Sequence, residues 1–553
     1  MQAIYNISQL CFFKGIKHAV LSPGSRCAPL TISFARQTEI QKYIIPDERS
    51  AAFIGLGLSR ITQLPTVLIC TSGSAAYNYA PAVAEAYFQH IPLLILTADR
   101  PPEWIDQLDG QTIRQTNIYG NHVKGSFTLP VDTLHPDANW QVERMVNEAI
   151  NLASQFPKGP VHINIPLREP FYPKGEIEFS NSIKIIETMK SSLVLDESTK
   201  NNLLKELSQY KKILVVAGQS IANKELTEVL SKLDIPVVTD IISNHAFSGN
   251  IKNHDLFLTS KNESEQALKP ELLITFGNSI ISKSLKLFLR KNTPSAHWHI
   301  QESGAVADTF QSLTKHISVE PLYFFKELIK GKAVTLPYKE LWQEADTSVS
   351  KKIRDFIKNE SLFSEFEAAY KLINQLPDHS VFHLANSMPV RYANAIGLKN
   401  STIEVVANRG TSGIDGVIST AYGTALATDK LVTVLTGDMT FLYDRNAFWN
   451  NYLPSNLRIV ILNNQGGGIF RMIDGPASQP EGEEYFVTKQ NLTAENTLKD
   501  FDVEYIQVDD RTGFEKELND FFKTAGKSKV MEVMTDGIVN TKLWKKFKET
   551  LNL

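Results

Sequence analysis

An aspartate and an asparagine close two neighbouring apolar runs. Thr436-Gly437-Asp438-Met439 follows the run at 431–435, and Asn463-Asn464-Gln465-Gly466-Gly467-Gly468 follows the run at 457–462. Residues 441–452 between them read as a helix, so the unit is a βαβ crossover of the usual right hand. Its strands are then parallel, and Asp438 and Asn464 emerge at one carboxyl edge, where open α/β sheets bind ligands. A carboxylate, a carboxamide and a nearby backbone carbonyl are hard oxygen donors suited to Mg²⁺. The glycines 466–468 allow the main chain to approach a diphosphate and turn N–H groups toward it. Either half alone has an ordinary explanation, a helix cap for the aspartate and a turn for Asn-Asn before glycines. Joined across one crossover, they point to a cation and a diphosphate.

The elements that must position these residues repeat along the chain. Short β-branched runs alternate with helical patterns, which predicts parallel sheets covered on both faces. Strands are expected at 18–21, 43–45, 66–70, 92–96 and 161–165, with a helix over 74–89. A second set falls at 213–217, 237–238, 272–276 and 297–300, and a third at 403–406, 432–435, 459–462 and 530–533. The fold class is therefore α/β, three consecutive doubly wound parallel-sheet domains. Their bounds are expected at 1–175, 176–335 and 375–553, with a charged helical connector at 336–374.

With 553 residues, the chain is too long for one core. A formal net charge of −3 with both signs plentiful excludes bulk nucleic-acid binding. Cys11, Cys27 and Cys70 form neither a CxxC pair nor a metal-ligand spacing, which fits a reducing, cytoplasmic setting. No signal-peptide pattern opens the sequence, and no apolar stretch reaches membrane-spanning length, so no stable membrane insertion is expected. Gly55-Leu56-Gly57-Leu58-Ser59-Arg60 begins like a dinucleotide fingerprint, but Arg60 stands where the last glycine belongs. Neither NAD nor flavin is expected.

The Asp438–Asn464 pattern resembles the diphosphate signature of thiamine-diphosphate enzymes, Gly-Asp-Gly and later Asn-Asn, with Met439 at the third glycine. That resemblance implies a pyrimidine-binding first block, a central α/β domain and a diphosphate/Mg-binding third block. It implies thiamine diphosphate with Mg²⁺, or Mn²⁺, held by Asp438, Asn464 and Gly466. Gly437, Met439 and Gly467 would sit along the cofactor, Ile414 beneath its bend, and Ile469 and Phe470 beside it. The family also places a catalytic glutamate against the aminopyrimidine ring where a strand meets a helix. Glu48 sits so, after the strand at 42–45 and before a helix at 51–60. A lone glutamate at a helix start is more often a dipole-stabilising charge; the company of Asp438 and Asn464 reverses that reading. A homodimer or homotetramer with sites shared between subunits is implied.

Further phrases narrow the resemblance. Ser22-Pro23-Gly24-Ser25-Arg26, Asp47-Glu48-Arg49-Ser50, Ala98-Asp99-Arg100-Pro101 and Gly110-Gln111-Thr112-Ile113-Arg114-Gln115 occur in the first block. Asn386-Ser387-Met388-Pro389-Val390-Arg391 and Asn408-Arg409-Gly410-Thr411-Ser412-Gly413 occur in the third. Together they resemble the menaquinone-pathway branch of the family, which implies decarboxylation of 2-oxoglutarate and 1,4-addition to isochorismate. Both substrates carry two carboxylates, and Arg forks bind carboxylates bidentately. By position, Ser25, Arg26, Arg100, Gln111 and Lys283 would line the isochorismate pocket, while Ser387, Arg391 and Arg409 also match substrate contacts. Ser284 stands where relatives often carry arginine. An acetolactate-synthase-like enzyme acting on pyruvate is the alternative, and a substrate with one carboxylate would not need this set of arginines.

Overall fold

The computed structural model describes residues 1–551 apart from 190, 259–264, 329–335, 399–401 and 474. Three parallel sheets follow one another. The first holds β1 (His18–Leu21), β2 (Gln41–Ile44), β3 (Thr66–Cys70), β4 (Leu93–Asp99), β5 (Ser126–Thr128) and β6 (Pro160–Pro166), in the order β2-β1-β3-β4-β6-β5. The second holds β7 (Ile213–Ala217), β8 (Val237–Thr239), β9 (Leu272–Phe276), β10 (Ala296–Ile300) and β11 (Lys315–Ile317), ordered β11-β10-β9-β7-β8. The third holds β12 (Val381–Leu384), β13 (Glu404–Ala407), β14 (Val432–Gly437), β15 (Leu457–Asn463), β16 (Glu504–Val508) and β17 (Lys529–Met534), ordered β13-β12-β14-β15-β17-β16. The outer two sheets thus share one strand order.

Central strands such as β3, β4, β9 and β15 are buried along their whole length, as continuous apolar runs require when helices cover both faces. Four strands were not expected from the sequence. β5, β11 and β16 each end a sheet and are partly exposed with polar residues interleaved, whereas β12 is a buried interior strand of four residues whose apolar run is interrupted by His383. The connector is two helices, Leu336–Asn359 and Glu365–Gln375. No helix among the described residues is long and apolar enough to cross a membrane.

Two expected helices are corrected. The one over 74–89 breaks into Ser74–Asn78 and Ala80–Gln89, with Pro81 in the first turn of the second piece. The one over 441–452 is a short helix, Asp438–Tyr443, and a 3₁₀ turn, Arg445–Phe448. Local side chains compete there with helix continuation. Buried Asp444 accepts from the Ser419 N–H and hydroxyl at 2.7 Å, and Asn450 Oδ1 accepts from the Tyr452 N–H at 2.8 Å.

The outer sheets are joined by the helices Glu48–Thr62 and Val417–Leu426. A Cβ on Gly57 would lie 2.0 Å from the Thr420 carbonyl oxygen, and one on Gly423 would lie 2.0 Å from that of Ile54. Each helix therefore presses its backbone into a glycine notch of the other. That contact, and not a nucleotide, accounts for Gly57 in the Gly55-Leu56-Gly57 stretch. Glu85 adds a polar clamp, accepting from the Gly410 N–H at 2.8 Å and the Thr411 N–H at 2.6 Å. The central sheet is tied on by Asn244, whose amide exchanges both hydrogen bonds with Val405 on the edge strand β13.

Candidate active site

β14 and β15 pair in parallel with Gly437 opposite Leu462, so Asp438 and Asn464 do leave neighbouring strands at one edge. Asp438 begins a helix and is 3% exposed. It accepts from Gln490 Nε2 at 2.7 Å, and the backbone amides of Met439 and Gly466 nearby favour its charged form. Burial, only partly offset by these bonds, pushes its pKa up to about 6. Asn464 donates through Nδ2 to Glu365 at 2.6 Å, and its Oδ1 is buried without a hydrogen-bond partner. Glu365, 1% exposed, is pushed up to about 7 chiefly by burial, with the Asp438 charge adding to it. An orphaned buried amide oxygen beside a buried carboxylate is an acceptor set lacking its donor. Hard oxygens in that state fit Mg²⁺.

The glycine loop departs from its expected use. The Gly467 N–H donates to Val487 O at 2.7 Å, and the Gly468 N–H donates to Gly466 O at 2.9 Å. The loop shapes the donor set instead of turning those two N–H groups outward. Gly466 O keeps its second lone pair. A Cβ on Gly468 would fall 2.8 Å from Asn464 Nδ2, so glycine there leaves the amide its place. Met439, Gly467, Ile469 and Phe470 are partly exposed around this edge, and Ile414 is 38% exposed on the loop before the Val417–Leu426 helix.

Glu48 is the first residue of its helix, which starts at Glu48 and not at 51, behind the N-cap Asp47. Burial is the main cause raising its pKa, and Cys27, Cys70 and Tyr79 all feel its charge. No hydrogen bond or ion pair joins Glu48 to Asp438 or Asn464 among the described residues. Its neighbours reach the third block elsewhere: Asp47 accepts from Asn446 Nδ2 at 2.7 Å, and Arg49 donates to Tyr443 O at 2.8 Å.

The cations form two groups. Arg26 is buried over the Phe171 ring and donates to Leu167 O at 3.0 Å; burial first, then Arg100, lowers its pKa. Arg100 pairs with Asp109 at 2.9 Å beside a cavity of about 280 Å³ that Asp99, Arg114 and Gln115 also line. Ser25 and Gln111 are exposed nearby, Ser25 Oγ lying 3.4 Å from the Tyr172 hydroxyl. In the second group Arg409 donates to Asn386 Oδ1 at 2.7 Å, and Arg391 donates to the carbonyl of Ser387, the residue ahead of its own helix Met388–Ile396. Arg391 and Arg409 feel one another's charge. Lys283 remains exposed at the start of its helix, and Lys286, a turn later, is the lysine that feels Arg409.

Sequence reasoning missed Glu365, Gln490, Tyr392 and Gln115. Gln115 Nε2 donates to Ala98 O and Asn164 Oδ1 while its Oε1 accepts from the Gly73 N–H, binding three strand ends together. Glu365 and Gln490 lie far along the chain from the aspartate and asparagine they touch, so no local pattern could reveal them.

Two family models match the chain: "Thiamine pyrophosphate enzyme, N-terminal TPP binding domain" over residues 7–118 and "Middle domain of thiamine pyrophosphate" over residues 187–384. A Cytophaga hutchinsonii protein named 2-succinyl-5-enolpyruvyl-6-hydroxy-3-cyclohexene-1-carboxylate synthase is 49% identical, over 100% of this chain and 99% of its own length. Proteins of the same name are 39% identical in Flavobacterium johnsoniae, over 98% and 97%, and 37% identical in Desulfotalea psychrophila, over 91% and 93%.

Proposed function

Since the chain belongs to the 2-succinyl-5-enolpyruvyl-6-hydroxy-3-cyclohexene-1-carboxylate synthase family of thiamine-diphosphate enzymes, we infer that it decarboxylates 2-oxoglutarate and adds the succinyl fragment to isochorismate. The product is the named acid, made on the route to menaquinone, together with CO₂. The observation that carries the site assignment is the orphaned Asn464 oxygen beside buried Asp438.

Thiamine diphosphate, when bound, supplies a carbon that adds to the 2-oxo group and accepts the electron pair left by CO₂. Asp438, Asn464 and the Gly466 carbonyl would hold Mg²⁺, or Mn²⁺, against the diphosphate. Gly437, Met439, Gly467, Ile469, Phe470 and Ile414 would line it. Glu48 would hold a proton at the aminopyrimidine nitrogen, a task that a carboxyl raised by burial suits. Arg26, Arg100, Arg391 and Arg409, with Ser25, Gln111, Lys283 and Ser387, would bind the four carboxylates of the two substrates. Fixed guanidinium forks orient such anions and favour them over substrates with one carboxylate.

The domains are read as pyrimidine-binding (1–175), central (176–335), connector (336–374) and diphosphate/Mg-binding (375–553). Family members bring the pyrimidine-binding and diphosphate/Mg-binding domains together from different subunits, so the enzyme is read as a homodimer or homotetramer with shared sites. This agrees with Glu48 having no bond to the metal edge among the described residues. A cytoplasmic location is proposed with it.

The test is an absorbance assay with purified protein, thiamine diphosphate, Mg²⁺, 2-oxoglutarate and isochorismate. Loss of isochorismate should require every component. Turnover of pyruvate with none of 2-oxoglutarate would overturn the substrate assignment. Asp438→Ala should weaken Mg²⁺-dependent cofactor binding at least about 100-fold by calorimetry, the upper range for losing support at a metal site. Unchanged binding would remove the metal assignment.

A further inference from the structure

The connector contributes a residue to the cation edge. Glu365 opens the helix Glu365–Gln375, and its own N–H donates to Asn540 Oδ1 at 3.0 Å, which fixes its backbone. Its carboxylate meets three donors: Asn464 Nδ2 at 2.6 Å, Tyr392 OH at 3.2 Å and Thr535 Oγ1 at 3.5 Å. A carboxamide has one donor end and one acceptor end. While Nδ2 is held by Glu365, Oδ1 faces the other way, and that oxygen is the buried atom without a partner. On the other carboxylate oxygen sits Tyr392, which follows Arg391 in the helix Met388–Ile396.

We propose that Glu365 is a positioning residue that locks the Asn464 carboxamide with its oxygen toward the cation and ties that orientation to the helix carrying Arg391. The proposal rests on the metal reading above. Without Glu365 the amide is free to rotate its NH₂ toward the cation, where it repels instead of ligating. Partners that orient metal ligands are worth about 10–100-fold in metal affinity.

Two substitutions separate position from charge. Glu365→Gln keeps an acceptor oxygen at the right reach and loses the charge, and its NH₂ can still meet the Tyr392 hydroxyl. Glu365→Asp keeps the charge and withdraws the oxygen by one methylene. The readout is the apparent Mg²⁺ dissociation constant, from calorimetric titration of the metal into each full-length protein with saturating thiamine diphosphate. Thermal unfolding of the metal-free proteins checks that each is folded. The expected result is a loss of at least about tenfold for Asp and no more than about threefold for Gln. The reverse order, equal losses, or no loss in either would overturn the proposal.

Asn464→Ala is the control for the underlying reading. If it binds Mg²⁺ as tightly as the parent, the metal assignment fails, and this proposal with it. If Asn464→Ala loses affinity and Glu365→Asp does not, the positioning role alone fails.

Discussion

The first and third sheets carry the same strand order, yet parts of their carboxyl edges hold opposite chemistry. Beyond β14 and β15 the third sheet gathers oxygens: Asp438, the free Asn464 Oδ1, the Gly466 carbonyl and Glu365 behind them. Beyond β1 and β4 the first sheet gathers nitrogens, Arg26 and Arg100, with Glu48 the carboxylate at a helix start beyond β2. The β14–β15 stretch of one edge suits a cation, whereas the arginines of the first sheet, like Arg391 and Arg409 beyond β12 and β13, suit anions. Strand order fixes where ligands can sit, and the loops decide their sign.

The largest expected effect divides the edges by the kind of loss. Glu48→Gln should lower turnover by about 10²–10⁴-fold, the range for removing a positioned acid or base. Its thiamine diphosphate affinity should stay within about threefold. If binding collapsed and chemistry survived, Glu48 would be an anchor like Asp438 and the contrast would fail. Steady-state rates and calorimetry on the same preparation decide it.

Next in size is the joint between the sheets. Gly57→Ala and Gly423→Ala each force a methyl group onto a backbone oxygen and should cost about 3 kcal/mol, the upper part of the overpacking range. Denaturant unfolding measures this, and a cost near zero for either would mean the notches do not bear on each other.

A buried histidine in each sheet offers a matched pair. Burial depresses the pKa of His162 on β6 and of His383 on β12 to about 3. The folded state then binds fewer protons than the unfolded chain, whose histidines titrate near 6.5. Their stabilising contribution is full above that pH and is lost as pH falls toward 3. By pH 5 each should account for about 2 kcal/mol of lost stability. In His162→Gln and His383→Gln, the stability difference between pH 7 and pH 5 should shrink by that amount. An unchanged difference in one variant would show that its sheet is less dry than the other. The smallest effect belongs to Arg49, partly exposed over the Tyr443 ring; Arg49→Ala should cost about 1 kcal/mol or less.

How far the sequence could be read follows the same geography. Most central strands were legible because burial on both faces writes them as apolar runs, as at 459–462 in β15, but central β12, only four residues long and interrupted by His383, was not. Edge strands such as β5, Ser-Phe-Thr, carry no such run. Asp438 and Asn464 were legible because a crossover brings them together within a short span. Glu365 was not, because its partner Asn464 lies 99 residues away and only tertiary packing joins them. Lys283, marked by family position, is exposed at the start of its helix, and Lys286 a turn later donates to Ile280 O at 2.6 Å. The glycines of 466–468 were marked for a diphosphate approach, whereas the N–H groups of Gly467 and Gly468 bond to Val487 and Gly466.

The paired notches at Gly57 and Gly423 have a mechanical consequence. Where backbone meets backbone, no side chain can change rotamer to let one helix slide over the other, so the outer sheets cannot shear past each other. Motion that admits large ligands must come from the loops at the sheet edges. The joint acts as a fixed bearing between the two outer sheets of one chain.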